Sequence, residues 1–272
     1  MGLRINTNVA ALNTSRNLRK NTLALNQSLE RLSSGLRINR AADDAAGLAI
    51  AEGFNSQVRG SRVAQRNAQD GISLVQTTEG ALTENASILQ RIRELAVQAA
   101  NGTNSTNNRG ALNLEVQQLL EQIEDIAIDT EFNGVRVLSS NQTITLQTGP
   151  QPGQTIRVAI ASAKTNDLLV SNVVISSVSL AVSAISAVDV ALQSVNNLRS
   201  ELGAIQNRLQ FTINTLSIQE ENAAASESAI RDADIALETL SFTRNQILVS
   251  AGTTVLAQAN VVPQSALQLL GG

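Results

Sequence analysis

Imidazole, thiol, indole and phenol are all missing from this chain, which has no His, Cys, Trp or Tyr and only four Phe and three Pro in 272 residues. Each absence removes a class of chemistry. No imidazole general base, no thiolate nucleophile and no soft donor set for zinc, copper or haem can be assembled. Carboxylates remain, yet no stretch spaces them as an oxygen cage for calcium or magnesium requires. The pair Asp43-Asp44 reads instead as a helix N-cap. No glycine-rich loop is set to cradle a phosphate. Catalytic residues, a metal and a cofactor are therefore not expected, and an enzyme is the remotest reading. A net charge of −3 gives no basic footprint for nucleic acid. Without Cys the redox compartment is not marked, although an oxidising exterior would be tolerated.

Two further segments look more informative than they are. The start, Met1-Gly2-Leu3-Arg4-Ile5-Asn6-Thr7-Asn8, is polar and amphipathic, without the continuous apolar run of a secretory signal. A protein acting outside the cell would need another export route. The stretch Val173 to Leu192 is largely apolar but carries five serines and Asp189. It reads as a connector or strand entering an amphipathic helix, so no membrane insertion is expected.

What is present is aliphatic. With 43% hydrophobic residues and 1% aromatic, the core must be built from Leu, Ile, Val and Ala, which suits long helices packed through narrow seams. Leu25, Leu29, Leu32 and Leu36 follow 4-3-4 spacing, and Gly35 with its polar neighbours weakens that helix. Val75, Leu82, Leu89 and Ala96 stand seven apart, beside Ile88, Ile92, Leu95 and Ala99, so one helix is predicted from about residue 45 to 100. The Asn/Gly/Ser/Thr cluster at 101–108 breaks it. Leu112, Val116, Leu119, Ile123 and Ile126 then return as an antiparallel partner.

Past Asp129 the period changes to two. Asn133-Gly134 marks a turn, and Ile144 and Leu146, then Ile156, Val158 and Ile160, alternate with polar neighbours around Gly149-Pro150-Gln151-Pro152-Gly153. A three-or-four spacing resumes from Val188 to Leu216, and the polar stretch from Glu220 to Asp232 is expected to interrupt it. Leu248, Val255, Val262 and Leu269 close the chain in strict heptad, with Pro263 among them. The fold expected is mainly α: a long antiparallel helical bundle or coiled-coil rod with a small β-hairpin element, its terminal helices pairing as a coiled coil. Residues 1–44 with 232–272 should form one domain, and 45–231 a second with its hairpin region at about 132–162. Amphipathic helices at both ends cannot bury their stripes alone. They must pair with each other or with other copies, and before that be disordered or held by a chaperone. This points to assembly.

Several long motifs also carry a family resemblance. Leu29-Glu30-Arg31-Leu32-Ser33-Ser34-Gly35-Leu36-Arg37-Ile38-Asn39, with Ala42-Asp43-Asp44-Ala45-Ala46-Gly47, resembles the N-terminal signature of flagellins. Ile247 to Asn260 and Pro263-Gln264 resemble the flagellin C-terminus, and Asn67 to Leu82, Gln90 to Gln98 and Phe132-Asn133-Gly134-Val135 match between them. The variable outer domains of larger members are missing after the hairpin. The resemblance implies a structural subunit that self-assembles into the helical tube of the bacterial flagellar filament for motility. It implies export of the unfolded chain through the flagellar type III apparatus, secretion to the extracellular filament, and polymerisation beneath a filament cap. Hook-associated proteins and an export chaperone on the C-terminal region are the implied partners. Leu25, Leu29, Leu32 and Leu36 with Leu248, Val255, Val262 and Leu269 would form the seams of the inner tube, within or between subunits.

Gln90 to Val97 resembles the flagellin segment bound by Toll-like receptor 5 in animal hosts, and Arg91, Leu95 and Glu115 match its contacts. Their spacing allows an ionic rim around an apolar anchor. The bland reading is a charged helix face that meets the next subunit. Two rival functions remain at this point: a hook–filament junction protein, and a cytoplasmic coiled-coil scaffold.

Overall fold

The computed structural model describes residues 7–270, and side chains at 262–264 and 266–270 fall outside that description. In chain order the elements are α1 (Val9–Ser34), α2 (Ala45–Ala100), α3 (Thr106–Asp129), β1 (Glu131–Phe132), β2 (Val135–Arg136), β3 (Gln142–Gln147), β4 (Thr155–Ile160), α4 (Val178–Arg231) and α5 (Ile235–Leu270). The fold is thus mainly α, with long helices packed on one another and a small antiparallel hairpin. The chain divides into two compact units, Met1–Ser56 with Asn222–Gly272, and Gln57–Glu221. The boundaries fall inside α2 and α4 rather than at residues 44 and 232, because both helices run on without a break.

Within the Gln57–Glu221 unit, α2 and α4 lie antiparallel, tied by Arg62–Glu220 at 2.6 Å near one end and Arg93–Asp189 at 2.7 Å near the other. α3 returns along α2, with the Arg109 Nε donating to the Ala99 carbonyl at 2.8 Å. Leu82, Leu89, Ile92, Val116, Ile123, Val188, Val195 and Leu202 fill the core between the three helices. The apolar stretch before residue 192 enters this core. It is non-regular to Ser177 and then helical, with Ala181, Ala184, Val188 and Ala191 buried. By length and composition α4 could cross a membrane, but that row packs on protein.

One expectation is corrected here. The polar stretch from Glu220 stays helical to Arg231, because Glu, Ala, Ser and Asn without Gly or Pro weaken an apolar stripe but do not break a backbone. The break falls at Asp232-Ala233-Asp234, where the Asp234 carboxylate accepts the N–H groups of Ala236 and Leu237 at 2.9 and 3.2 Å and caps α5.

The small strands follow their turn chemistry. Asn133 (φ 51) and Gly134 (φ 76) both sit in the left-handed region, as a two-residue hairpin connection requires, and join β1 to β2. β3 and β4 pair from Gln142↔Ile160 to Gln147↔Thr155, and Ile156, Val158 and Ile160 turn one face to the helices. The loop of this hairpin lies close on α2. A Cβ added to Gly60 would stand 2.8 Å from the Cβ of Pro150 and 3.3 Å from its Cα, whereas one added to Gly80 would meet nothing within 4 Å. Gly80→Ala should therefore stabilise the protein by about 0.5–1 kcal/mol through helix propensity alone. Gly60→Ala should instead destabilise it, since overpacking of about 1–3 kcal/mol outweighs the same gain. Equal shifts of the two variants in denaturant unfolding would mean that the hairpin is not seated on the helix.

Candidate assembly surface

The unit containing both chain ends is held by α1 packed antiparallel on α5. Asn8 caps the start of α1 through the Ala11 N–H at 3.0 Å and donates its amide to the Ala259 carbonyl at 2.8 Å. At mid-length the Leu18 Cδ1 would lie 3.3 Å from a Cβ on Gly252, and at the far end Arg31 pairs with Glu238 at 3.6 Å. These contacts fix which faces meet. On α1 the half-buried row is Leu18, Leu25 and Leu32, with Ser28 buried. On α5 it is Phe242, Asn245, Val249, Gly252, Leu256 and Ala259, a 3-4 repeat whose small members let the backbones approach.

The expected seam residues divide between two faces. Leu25 and Leu32 lie in the α1–α5 contact. Leu29 is 54% exposed, Leu248 39% and Val255 54%, so they stand on the outward side. The side chains of Val262 and Leu269, and Pro263 between them, lie outside the described residues. Leu36 is half-buried beyond the end of α1. Two interleaved apolar heptads thus run along α5, one spent on α1 and one turned to solvent. Val9, Leu12 and Leu23 on α1, and Ile235, Leu237, Leu240, Ile247 and Val261 on α5, extend that outward surface. Exposed apolar area on this scale is more than a monomer ordinarily leaves to water.

Both terminal helices meet the long ones at a shared joint. α1 stops at Gly35, which adopts φ 73 and donates its N–H to the Arg31 carbonyl. Leu36 then forms an antiparallel bridge with Asp232, flanked by bonds from the Arg37 N–H to the Arg231 carbonyl at 2.7 Å and from the Ala233 N–H to the Gly35 carbonyl at 2.9 Å. Arg231 pairs with Glu52 and Glu227, and Ile38 is buried beside them. Of the two acidic residues read as a cap, Asp44 caps α2, whereas Asp43 closes the turn that precedes it. Asp44 accepts the Gly47 N–H at 2.9 Å, and Asp43 accepts those of Arg40 and Asn39, which hold its carboxyl below the usual carboxylate range.

The other expected contact lies wholly in the Gln57–Glu221 unit. Arg91 reaches across to α3, its Nε and Nη2 both on Glu115 Oε1 at 3.0 and 2.9 Å, and Nη1 lies 3.2 Å from Glu94. These carboxylates, Glu115 foremost, keep the Arg91 guanidinium above its ordinary pKa. Leu95 does not stand with them as a surface anchor. It is 1% exposed and belongs to the core, because the face it shares with Ile92, Ala96 and Ala99 is the one α2 buries. Leu114, next to Glu115 in sequence, is exposed and lies off the apolar stripe of α3.

Across the described residues no group of three or more His, Cys, Asp or Glu is placed to hold a metal ion. The described surface carries exposed apolar rows on α1 and α5. The bacterial flagellin N-terminal helical region matches residues 5–143, and the bacterial flagellin C-terminal helical region matches 185–270. The chain belongs to the bacterial flagellin family. A flagellin of Halalkalibacterium halodurans is 48% identical, with 98% of this chain and 99% of that one covered. A flagellar filament 33 kDa core protein of Treponema phagedenis is 42% identical over 98% and 99%. The family is one of structural proteins. A solved structure from Vibrio parahaemolyticus, assigned as a flagellar hook-associated protein, covers 70% of this chain and 100% of its own with a TM-score of 0.60, but at 13% identity. That likeness is one of fold alone, and the junction reading is not favoured beside relatives named for the filament that match along their whole length.

Proposed function

We propose that this chain is the structural subunit of a flagellar filament and polymerises through the outward apolar faces of α1 and α5. The observation that supports this most directly is that both helices, already paired with each other, keep a second apolar row facing solvent. A pair that served only to close the subunit would need one row per helix. In the filament the second row is covered by neighbouring copies, with Leu29, Leu248 and Val255 between subunits and Leu25 and Leu32 within one. The same rows account for the remaining partners: an export chaperone holds the C-terminal region before assembly, the chain leaves the cell unfolded by the type III route, and it is added beneath the cap at the distal, extracellular end.

Purified subunit added to filament seeds should elongate them into helical tubes visible by negative-stain imaging. A folded elongated oligomer that forms without seeds would speak for a coiled-coil scaffold instead. Leu248→Lys with Val255→Lys should leave the monomer's melting temperature within a few degrees of the parent, since both sites are exposed, and should stop elongation by placing charges in an apolar interface. Elongation at the parental rate would remove these two residues from the interface.

A host receptor of the Toll-like receptor 5 type would meet the Arg91–Glu115 pair, with Leu95 acting only as packing beneath it. Arg91→Ala should then weaken signalling by about tenfold or more, as truncating a charged pair does at an interface centre, while leaving the denaturation midpoint close to the parent's, since an exposed ion pair adds little to stability. Signalling equal to the parent would remove Arg91 from the contact.

A further inference from the structure

Two of the most exposed large apolar side chains in the Gln57–Glu221 unit each stand beside an unpaired charge, and the two charges are opposite. Leu169 is 73% exposed and has φ 60, in the left-handed region that a leucine rarely adopts. Its turn is pinned on every side. Thr165 gives its N–H and hydroxyl to Glu124 Oε2 at 3.0 and 2.8 Å, the Val170 N–H returns to the Thr165 carbonyl at 2.9 Å, and Leu168 and Val170 are buried on either side of the exposed residue. The backbone is thus held strained with an apolar side chain driven outward, a pattern that marks functional positions. Asp167, two residues earlier, is exposed and has no hydrogen bond or ion pair among the described residues.

The complementary feature is a groove of about 670 Å³ between the β3–β4 loop and α4, lined by Thr148, Gln154, Arg208, Phe211, Thr212 and Thr215 among others. Phe211, one of only four aromatic residues in the chain, is 71% exposed at this groove. Arg208, three residues earlier and so on the same helical face, has no carboxylate partner among the described residues.

We propose that the Asp167–Leu169 turn of one copy seats in the Phe211–Arg208 groove of the next, with Leu169 against the Phe211 ring and the Asp167 carboxylate on the Arg208 guanidinium. Within one chain the two features are not paired with each other: the turn is held to α3 through Glu124, the groove is lined by α4 and the hairpin, and no ion pair joins Asp167 to Arg208 among the described residues. A contact between two different patches is heterologous, and it propagates from copy to copy instead of closing a dimer. This inference rests on the filament reading and adds a contact, outside the terminal helices, that fixes how one subunit is registered on another.

Reversing charges tests it in seeded elongation followed by light scattering. Arg208→Glu and Asp167→Arg should each slow elongation by about tenfold or more, since like charges then face each other across the contact. The chain carrying both changes restores an opposite pair and should elongate within about threefold of the parent. Leu169→Gly relieves the backbone and removes the knob, so it should melt no lower than the parent yet elongate more slowly. Single reversals that elongate at the parental rate would overturn the contact, as would a double variant no faster than the single ones. A parent chain that adds to no seed would remove the filament reading itself, and the contact with it.

Discussion

A chain ending at residue 232 is expected to keep its Gln57–Glu221 unit folded and to add to no filament. The change removes α5 entirely, and with it both of that helix's apolar rows: the inner one carrying Phe242, Val249 and Leu256, and the outer one carrying Leu248 and Val255. α1 then loses its only packed face. Leu18, Leu25 and Leu32 become solvent-exposed beside Leu12, Leu23 and Leu29, which already are, and a 26-residue helix with no partner is marginal in water. Hydrogen exchange should show α1 unprotected, while α3 and the middle of α2 exchange as slowly as in the full chain. Negative-stain images of the truncated chain mixed with seeds should show seeds of unchanged length. Filaments growing from it would sink the assignment of assembly to the terminal helices.

Leu95→Ala should be the most damaging single substitution among the residues matched to a receptor contact, and the damage should be to the fold. Leu95 is buried with Ile92, Ala96 and Ala99 against α3 and α4, and truncating such a leucine leaves a cavity costing about 2–5 kcal/mol. That is a large fraction of the 5–15 kcal/mol or so by which a domain is stable. Denaturant unfolding should show the loss directly, as a lower midpoint with little change in slope. The comparison with Arg91→Ala then separates two causes of lost signalling. A receptor contact made by Arg91 shows as weaker signalling from an equally stable protein. A loss confined to Leu95→Ala, removed when the variant is assayed well below its melting temperature, belongs to folding. If Leu95→Ala unfolds at the parental midpoint, its place in the core is wrong.

Helices, turns and hairpins were legible in the sequence because their signals are local. Heptads placed α1, α2 and α3, Gly35 ended α1, and Asn133-Gly134 and Gly149 to Gly153 marked the two hairpin connections. What was not legible depends on which neighbour a residue meets. Two apolar heptads interleave on α5, and periodicity alone cannot say that the row of Phe242, Val249 and Leu256 takes α1 while Leu248 and Val255 face outward. Gly252 and Ala259 on the first row let α1 come close, as the nearness of Leu18 to Gly252 and the bond from Asn8 to the Ala259 carbonyl record. Leu95 sits four residues from Arg91, so spacing put both on one face. A helix packed on two sides, however, has a buried arc wide enough to take Leu95 and leave Arg91 at its edge. The continuity of α4 past Glu220 was missed for a related reason: loss of an apolar stripe reports loss of burial, which a helix extending beyond its core survives. Leu169 carried no sequence signal, as its exposure comes from a φ set by the buried residues around it.

The bond from Asn8 to Ala259 joins residues 251 positions apart. Closing a loop of that length costs about 5 kcal/mol of chain entropy before any contact forms, so α1 and α5 pair late in folding and part early in unfolding. The Gln57–Glu221 unit closes through shorter loops and forms without them. During synthesis the imbalance is larger still, for α1 emerges about 200 residues before α5, and every nascent copy carries an unpaired apolar segment until its partner has been made.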